Sequence, residues 1–323
     1  MKRVAVLTSG GDAAGMNAAI RAVVRAGVAH GWAVVGIRDG YAGLCRGEAL
    51  HLGPRDVGGI IDRGGTILGT SRYEELKTHL GQEEAIRSLR ALEIDALVVI
   101  GGNGSQRGAH SLSKRGVHVI GIASTIDNDL PGADVSIGAT TAVGIALESI
   151  DRLRVTASSH NRAFLIEVMG RDCGYLALMA GIAGGAEAIL IPEVELKPEE
   201  LAGEIRRCYD RNKRHAIVVV AEGAAYNADA VSRYFHEHHE RLGFELRVTK
   251  LGHVQRGGTP CAFDRIIASQ LGAAAIDQLQ AGVHGVLLGF RNGGILPLAL
   301  EAAVEQVKTP DLRLLRLAAT LAQ

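Results

Sequence analysis

The sequence predicts an α/β protein of the doubly wound, parallel-sheet class. Three features carry that prediction: short apolar runs without alternation, helix-spaced stretches between them, and glycine-rich or polar turns where the runs end. The runs are VAVL at 4–7, AVVGI at 33–37, ALVVI at 96–100, VHVIGI at 117–122, AFLIEV at 163–168, EAILI at 187–191 and AIVVVA at 216–221. Runs of this kind read as strands covered on both faces, which is how a parallel sheet is packed. Between them, Ile20, Val23, Val24 and Gly27 share one helical face in NAAIRAVVRAG. Val143, Leu147, Ile150 and Arg154 repeat that spacing in the next long segment. The turns are TSGGDAAGMN after the first run, GGNGS after the third, ASTIDND after the fourth and MGRDCG after the fifth. In doubly wound folds ligands sit beyond the carboxyl ends of the strands. Four such turns at one sheet edge therefore predict one large site.

With 323 residues the chain fits one large unit or two domains of about 150, and 47% hydrophobic content supplies a core. Lysine plus arginine (35) balances aspartate plus glutamate (35), so no global field recruits nucleic acid or an anionic membrane, and any anion site is local. MKRVAVLTSGGD has too few apolar residues for a signal peptide, and no run reaches membrane-spanning length. Cys45, Cys173, Cys208 and Cys261 are far apart and form no Cys-x-x-Cys pair, which suggests neither zinc nor a disulfide framework. A reduced, cytoplasmic protein is expected. No Pro, Gly or Ser-rich linker and no fixed-period repeat stands out.

In SGGDAAG the backbone N–H groups of Gly10 and Gly11 and the following helix end suit a phosphate, although a plain tight turn reads the same way. No Gly-Lys-Ser/Thr closes any glycine-rich loop, so a Walker A loop is absent. In GGNGSQRG, Gly102, Gly104 and Gly108 only approximate the dinucleotide fingerprint. Asn103 offers hydrogen bonds but no negative charge to Mg²⁺. STIDND places Asp127 and Asp129 two apart before Pro131. One can take a proton from a substrate hydroxyl while the other orients it or anchors metal; an Asx turn is the plainer reading. Arg72, Arg162, Arg171, Arg247 and Arg256 all stand at turns or strand ends, with His253 near the last, and guanidinium forks suit phosphate. FHEHHE at 235–240 lacks the histidine that a zinc-protease helix needs and reads as a solvated face.

LTSGGDAAGMNAAIR, GGNGS, TIDND, EVMGR and LGHVQRGG occur in the order and spacing of the bacterial 6-phosphofructokinases, and over essentially the whole chain the sequence resembles that family. The resemblance implies two Rossmann-like α/β domains with the active site in the cleft between them. The larger, ATP-binding domain would be residues 1–138 plus 255–305, and the smaller, fructose 6-phosphate-binding domain 139–254 plus 306–323. It implies transfer of the ATP γ-phosphoryl group to the C1 hydroxyl of fructose 6-phosphate with Mg²⁺. Asp127 would be the general base, with Thr125 and Asp129 orienting sugar and metal-bound phosphates. Arg72 and Arg171 would stabilise the moving phosphoryl group, and Gly11 would approach it through its backbone.

The same resemblance assigns ATP contacts to Gly11, Arg72, Tyr73, Gly102, Asn103, Gly104 and Ser105. Substrate contacts fall on Thr125, Asp127, Met169, Gly170, Arg171, Glu222, His253 and Arg256. Arg162 and Arg247 match arginines that the family reaches across a subunit interface, which implies a homotetramer built from dimers. Arg21, Arg25, Arg154, Gly185, Glu187, Arg211, Lys213 and His215 match its site for ADP or phosphoenolpyruvate. Pyrophosphate-dependent relatives carry aspartate at the position of Gly104 and lysine at that of Ser124, so ATP is the expected donor.

The departures are specific. Asn103 replaces the aspartate of the family's Gly-Gly-Asp-Gly loop, which engages Mg²⁺. Ala123 and Ser124 replace a Pro-Gly pair, and Ala14 a proline. Pro54 and Gly59 stand where the effector site has arginine and aspartate, with Arg55 one position on. Metal affinity, turnover and regulation are expected to be altered, and the fold unchanged. A catalytically weak isoform acting as a sugar-phosphate or nucleotide sensor, or as a regulatory subunit, is the alternative. A dinucleotide-dependent oxidoreductase rests only on the near-fingerprint and the fold class.

Overall fold

The computed structural model describes residues 2–322. In chain order its elements are β1 (Arg3–Ser9), α1 (Met16–Ala29), β2 (Ala33–Ile37), α2 (Gly40–Arg46), β3 (Ala49–His51), α3 (His79–Ala91), β4 (Ala96–Gly101), α4 (Asn103–Ser113), β5 (Val119–Ala123), α5 (Ala139–His160), β6 (Ala163–Val168), α6 (Tyr175–Ala183) and β7 (Ala188–Leu190). There follow α7 (Pro198–Asp210), β8 (Ala216–Ala221), α8 (Ala228–Glu237), α9 (His239–Leu242), β9 (Leu246–Lys250), α10 (Ala262–Gln280), β10 (Val286–Arg291), β11 (Gly294–Ala299), α11 (Leu300–Glu305) and α12 (Arg313–Leu321). The chain divides into two compact units, residues up to 141 with 256–308, and 142–255 with those from 309 on.

The first unit carries a seven-stranded sheet in the order β11-β10-β5-β4-β1-β2-β3, parallel except at its two outermost pairings. β1 pairs with β2 on one side and β4 on the other, so the chain leaves β1 in both directions and a switch point lies there. The register sets Ser9 beside Gly101 and Gly101 beside Ala123. Three loops therefore start from adjacent strand ends, each about 4.8 Å from the next. Leu7, Ile37, Leu97, Val99 and Val119 fill the core on one side of this sheet, all with no exposure. The second unit carries a four-stranded, all-parallel sheet, β7-β8-β6-β9. Every residue of AIVVVA in β8 is buried, as its unalternating pattern predicts.

Three expectations need correction. The MGRDCG turn follows β6 in the second sheet, so the four polar turns do not share one sheet edge; three belong to the first unit. On α5 the fully buried stripe is Ala139, Ala142, Ala146, Ile150 and Ala157, while Val143, Leu147 and Arg154 are half-buried. Small alanines, which carry little hydrophobic signal, mark the packed face. β3, β9, β10 and β11 were not anticipated. β9 (LRVTK) is an edge strand with polar, partly exposed residues, and β10–β11 is a hairpin closed by Asn292 and Gly293, both at positive φ.

One buried carboxylate braces the first unit. Asp264, with no exposure, accepts from Gly138 N (3.0 Å), Thr141 N (2.8 Å) and Thr141 Oγ1 (2.6 Å), capping the first turn of α5 from α10. Asp264→Ala strands two backbone N–H groups in the interior and is expected to cost about 3 kcal/mol. That corresponds to a fall of about 10 °C in Tm. A thermal melt showing a loss under about 3 °C would contradict this role.

Candidate active site

The loop after β1 and the loop carrying Arg72 are tied together. Thr8 Oγ1 donates to Gly69 O (2.7 Å), Thr70 Oγ1 to Gly10 O (2.8 Å), and Gly10 N to Ser71 O (3.3 Å). Arg72 is exposed and Tyr73 half-buried on this braced segment. Ser105 Oγ then donates to Ser9 O (2.8 Å) and Tyr41 Oη to Ser105 O (2.7 Å), fastening the first turn of α4 to the end of β1. Burial pushes the Tyr41 phenol up, so it stays a donor. Burial likewise raises the Cys45 and Cys208 thiols, which leaves them poor nucleophiles.

The glycines of GGNGSQRG separate by role. Gly102 caps α4, and a side chain at Gly108 would strike Tyr41 and Leu76, so Gly108 serves packing. A Cβ on Gly104 would meet nothing within 4 Å. Glycine inside a helix costs about 1 kcal/mol relative to alanine. No packing contact among the described residues requires glycine at 104, and the first turn of α4 is open there.

The TIDND loop follows β5. Asp127 is 3% exposed, and its backbone N–H donates to Thr125 Oγ1 (3.2 Å). Between the two acids Asn128 sits at φ 51°, a left-handed conformation asparagine tolerates. Its Oδ1 accepts from Ser136 N (2.9 Å), its Nδ2 donates to Asp134 O (2.9 Å), and Ser136 Oγ donates to Thr125 O (2.6 Å). These contacts fix the loop with Asp127 on one side of Asn128 and Asp129 on the other. Asn103 Nδ2, at the start of α4, donates to Asp129 Oδ2 at 2.7 Å. Asp129 Oδ1 is buried without a hydrogen-bond partner among the described residues.

A divalent cation fits this corner through a single carboxylate. Mg²⁺ takes one or two carboxylates plus substrate phosphates, and the unmet Asp129 Oδ1 is one such oxygen. Among the described residues no group of three His, Cys, Asp or Glu side chains could cage a metal. Arg256, expected at the sugar phosphate, donates from Nη1 to Asp12 O (3.0 Å) and lies over Gly11 in the first unit.

In the second unit the MGR turn is held by its neighbours. Glu222 Oε1 accepts from Gly170 N (3.3 Å) and Arg171 N (2.9 Å), while buried Gln255 accepts from Met169 N (2.8 Å). Gly170 and Arg171 both have positive φ. Glu222 thus orients the turn, and the Arg171 side chain is exposed from it. His253 is exposed, two residues before Gln255.

Two predicted arginines are not brought to that turn. Arg162 precedes β6 and Arg247 stands on β9 beside Phe164, whereas Met169–Arg171 follows the far end of β6. Five residue steps of strand separate those ends by about 17 Å. The predicted effector residues of this unit do cluster. Lys213 Nζ pairs with Glu187 (3.5 Å), Lys213 and Arg211 both donate to Ala322 O (2.9 and 3.3 Å), and Arg154 lies by Gly185. His215 is half-buried on the segment that leads into β8, and Arg21 and Arg25 stand one turn apart on α1 in the first unit.

Sequence reasoning missed Asn128, Ser136 and Gln106. Gln106 is fully buried and its Nε2 donates to Gly101 O (3.0 Å) and Ile122 O (3.3 Å), bridging β4 and β5 where the loops begin. A glutamine on the otherwise packed face of a short helix was the available signal.

The profile of the family described as Phosphofructokinase matches residues 3–279. An ATP-dependent 6-phosphofructokinase from Natranaerobius thermophilus is 49% identical over 321 residues, 99% of each chain. ATP-dependent 6-phosphofructokinase 1 from Thermus thermophilus is 52% identical over 324 residues, 100% of each. Among solved structures, phosphofructokinase from Pichia pastoris in the T-state aligns at TM-score 0.89 and 38% identity, over 94% of this chain and 35% of that one. This chain thus spans about a third of that protein's length. A pyrophosphate-dependent phosphofructokinase from Marinobacter aquaeolei aligns at TM-score 0.87 and 25% identity, over 97% and 86% of the two chains.

Proposed function

The chain belongs to the phosphofructokinase family, and from that premise we propose the reaction its residues are arranged for. It transfers the γ-phosphoryl group of ATP to the C1 hydroxyl of fructose 6-phosphate, giving fructose 1,6-bisphosphate and ADP. The observation that carries this reading is the corner at the carboxyl ends of β1, β4 and β5. There an unencumbered helix N-terminus at Gly104 adjoins the loop that holds Asp127 and Asp129.

Buried Asp127 takes the proton of the C1 hydroxyl as its oxygen attacks the γ-phosphorus, and the bond to the β,γ-bridging oxygen breaks to release ADP. Thr125 and Asp129 orient the sugar and the nucleotide. Asp129 would hold the Mg²⁺ that arrives with the nucleotide, which screens phosphate charge when bound. Gly11, Arg72, Tyr73, Gly102, Gly104 and Ser105 receive ATP, and the guanidinium groups of Arg72 and Arg171 neutralise charge on the moving phosphoryl group. Met169, Gly170, Glu222, His253 and Arg256 serve the sugar phosphate, Glu222 through its grip on the MGR turn.

Arg162 and Arg247, toward the opposite end of β6 from that turn, would serve the sugar site of a second copy in the homotetramer that the family resemblance implies. The Arg154, Glu187, Arg211, Lys213 and His215 cluster, with Gly185 and with Arg21 and Arg25, would take ADP or phosphoenolpyruvate, with Pro54 and Gly59 altering the response. Among the described residues no helix is long and apolar enough to cross a membrane; a cytoplasmic location is part of the same proposal.

Asn103 favours a second reading, a weak isoform that senses sugar phosphate or nucleotide. Purified protein given ATP, Mg²⁺ and fructose 6-phosphate separates the two. The kinase turns over at about 1–100 s⁻¹. A sensor binds both ligands in calorimetry without forming product at any Mg²⁺ or Mn²⁺ concentration.

A further inference from the structure

We propose that Asn103 is a positioning residue that satisfies Asp129 without a cation, so that the nucleotide-free protein has no use for Mg²⁺ at this corner and the ion enters only with the nucleotide. The inference rests on the kinase reading above for what the nucleotide is, and on contacts within one unit for the rest. The Asn103 amide is not spent on its own helix: Gly102 is the N-cap, and no side chain caps α4. Instead Nδ2 lies 2.7 Å from Asp129 Oδ2 and 3.5 Å from the Asp129 carbonyl. A carboxylate only accepts hydrogen bonds, so the group facing it is the amide's NH₂, and the contact is a charge-assisted bond.

Two carboxylates at this spacing would need a shared proton or a cation between them. The amide removes that need. Of the two Asp129 carboxylate oxygens, Oδ2 is met by Asn103, and Oδ1 is buried and unmet. A lone carboxylate oxygen is a poor trap for Mg²⁺, which dehydrates reluctantly, but it is sufficient when phosphate oxygens supply the other ligands. Asn103 thereby moves the divalent ion from the protein to the nucleotide. Its substitution should change how the empty protein responds to Mg²⁺ before it changes any rate.

The test is a thermal melt of nucleotide-free and sugar-free protein, with and without MgCl₂ at matched ionic strength, for wild type, Asn103→Ala and Asn103→Asp. Wild type should shift by less than about 1 °C on adding Mg²⁺. Asn103→Asp should melt below wild type without Mg²⁺ and regain about 3–6 °C with it. Asn103→Ala should melt below wild type and not respond. Should Asn103→Asp fail to fold, Mn²⁺ titration of wild type followed by electron paramagnetic resonance decides: the ion should stay free until ATP is added. The proposal is overturned if wild type gains as much stability from Mg²⁺ as Asn103→Asp does, or if one Mn²⁺ per nucleotide-free chain binds with Kd below ~1 mM. These readouts involve no turnover. The expected melts from a protein that never phosphorylates fructose 6-phosphate would defeat the kinase reading and leave this one standing.

Discussion

Asp127→Asn is expected to lower kcat by about 10³-fold with little change in KM for either substrate, since general-base catalysis contributes about 10²–10⁴. The change keeps the shape of the side chain but removes its charge and its capacity to accept a proton, putting an NH₂ donor in place of one oxygen. Asp127 is 3% exposed on a loop pinned by Asn128, Ser136 and Thr125. Those contacts run through Asn128, Ser136, Thr125 and the Asp127 backbone N–H, all of which the substitution leaves in place, so the loop is expected to stay folded. The loss should therefore appear in the chemical step alone. A coupled assay in which Asp127→Asn keeps more than a tenth of wild-type kcat would remove Asp127 from the role of base.

Gly104→Asp should lower kcat/KM for MgATP by about 10³-fold. The position has open space for a side chain, and an acid in the first turn of α4 suits the helix dipole, so folding is not expected to suffer. What suffers is the anionic donor. A carboxylate about 4 Å from a phosphate oxygen at an effective dielectric of about 20 is repelled by about 4 kcal/mol, which is three decades in rate constant. Fructose 6-phosphate binding, measured by calorimetry without nucleotide, should be unchanged. Activity within tenfold of wild type, in a variant of normal melting temperature, would mean that no donor phosphate passes Gly104.

Much of the architecture was legible. The seven unalternating runs became β1, β2, β4, β5, β6, β7 and β8, because burial on both faces leaves a direct trace in composition. β9 left none, since an edge strand of charged residues looks like a loop. The β10–β11 hairpin was readable from Asn292-Gly293 and its flanking apolar residues. The division into two units escaped a search for linkers in part because one of its three crossings falls inside α5, between Thr141 and Ala142, where helix propensity is uninterrupted.

At the site, residue type announced Asp127, Asp129 and the glycines, but not what holds them. Asn128 reads as one more polar residue in a turn until its left-handed φ and its bond to Ser136 are seen. Asp264 is separated from Gly138 and Thr141 by more than a hundred residues, a distance no spacing rule spans. The meaning of Asn103 changed most. In the sequence it marked a missing charge; in the structure it is the hydrogen-bond partner of Asp129.

The most direct measurement is phosphorus NMR of purified protein with fructose 6-phosphate and Mg²⁺, run side by side with ATP and with pyrophosphate. With ATP, loss of the γ-phosphate resonance should be matched by equal growth of the C1 phosphomonoester and of ADP, and with pyrophosphate no C1 phosphate should form. An unchanged ATP spectrum across a wide range of Mg²⁺ and Mn²⁺, or a C1 phosphate made from pyrophosphate instead, would contradict the assignment of this corner as an ATP-dependent phosphoryl-transfer site.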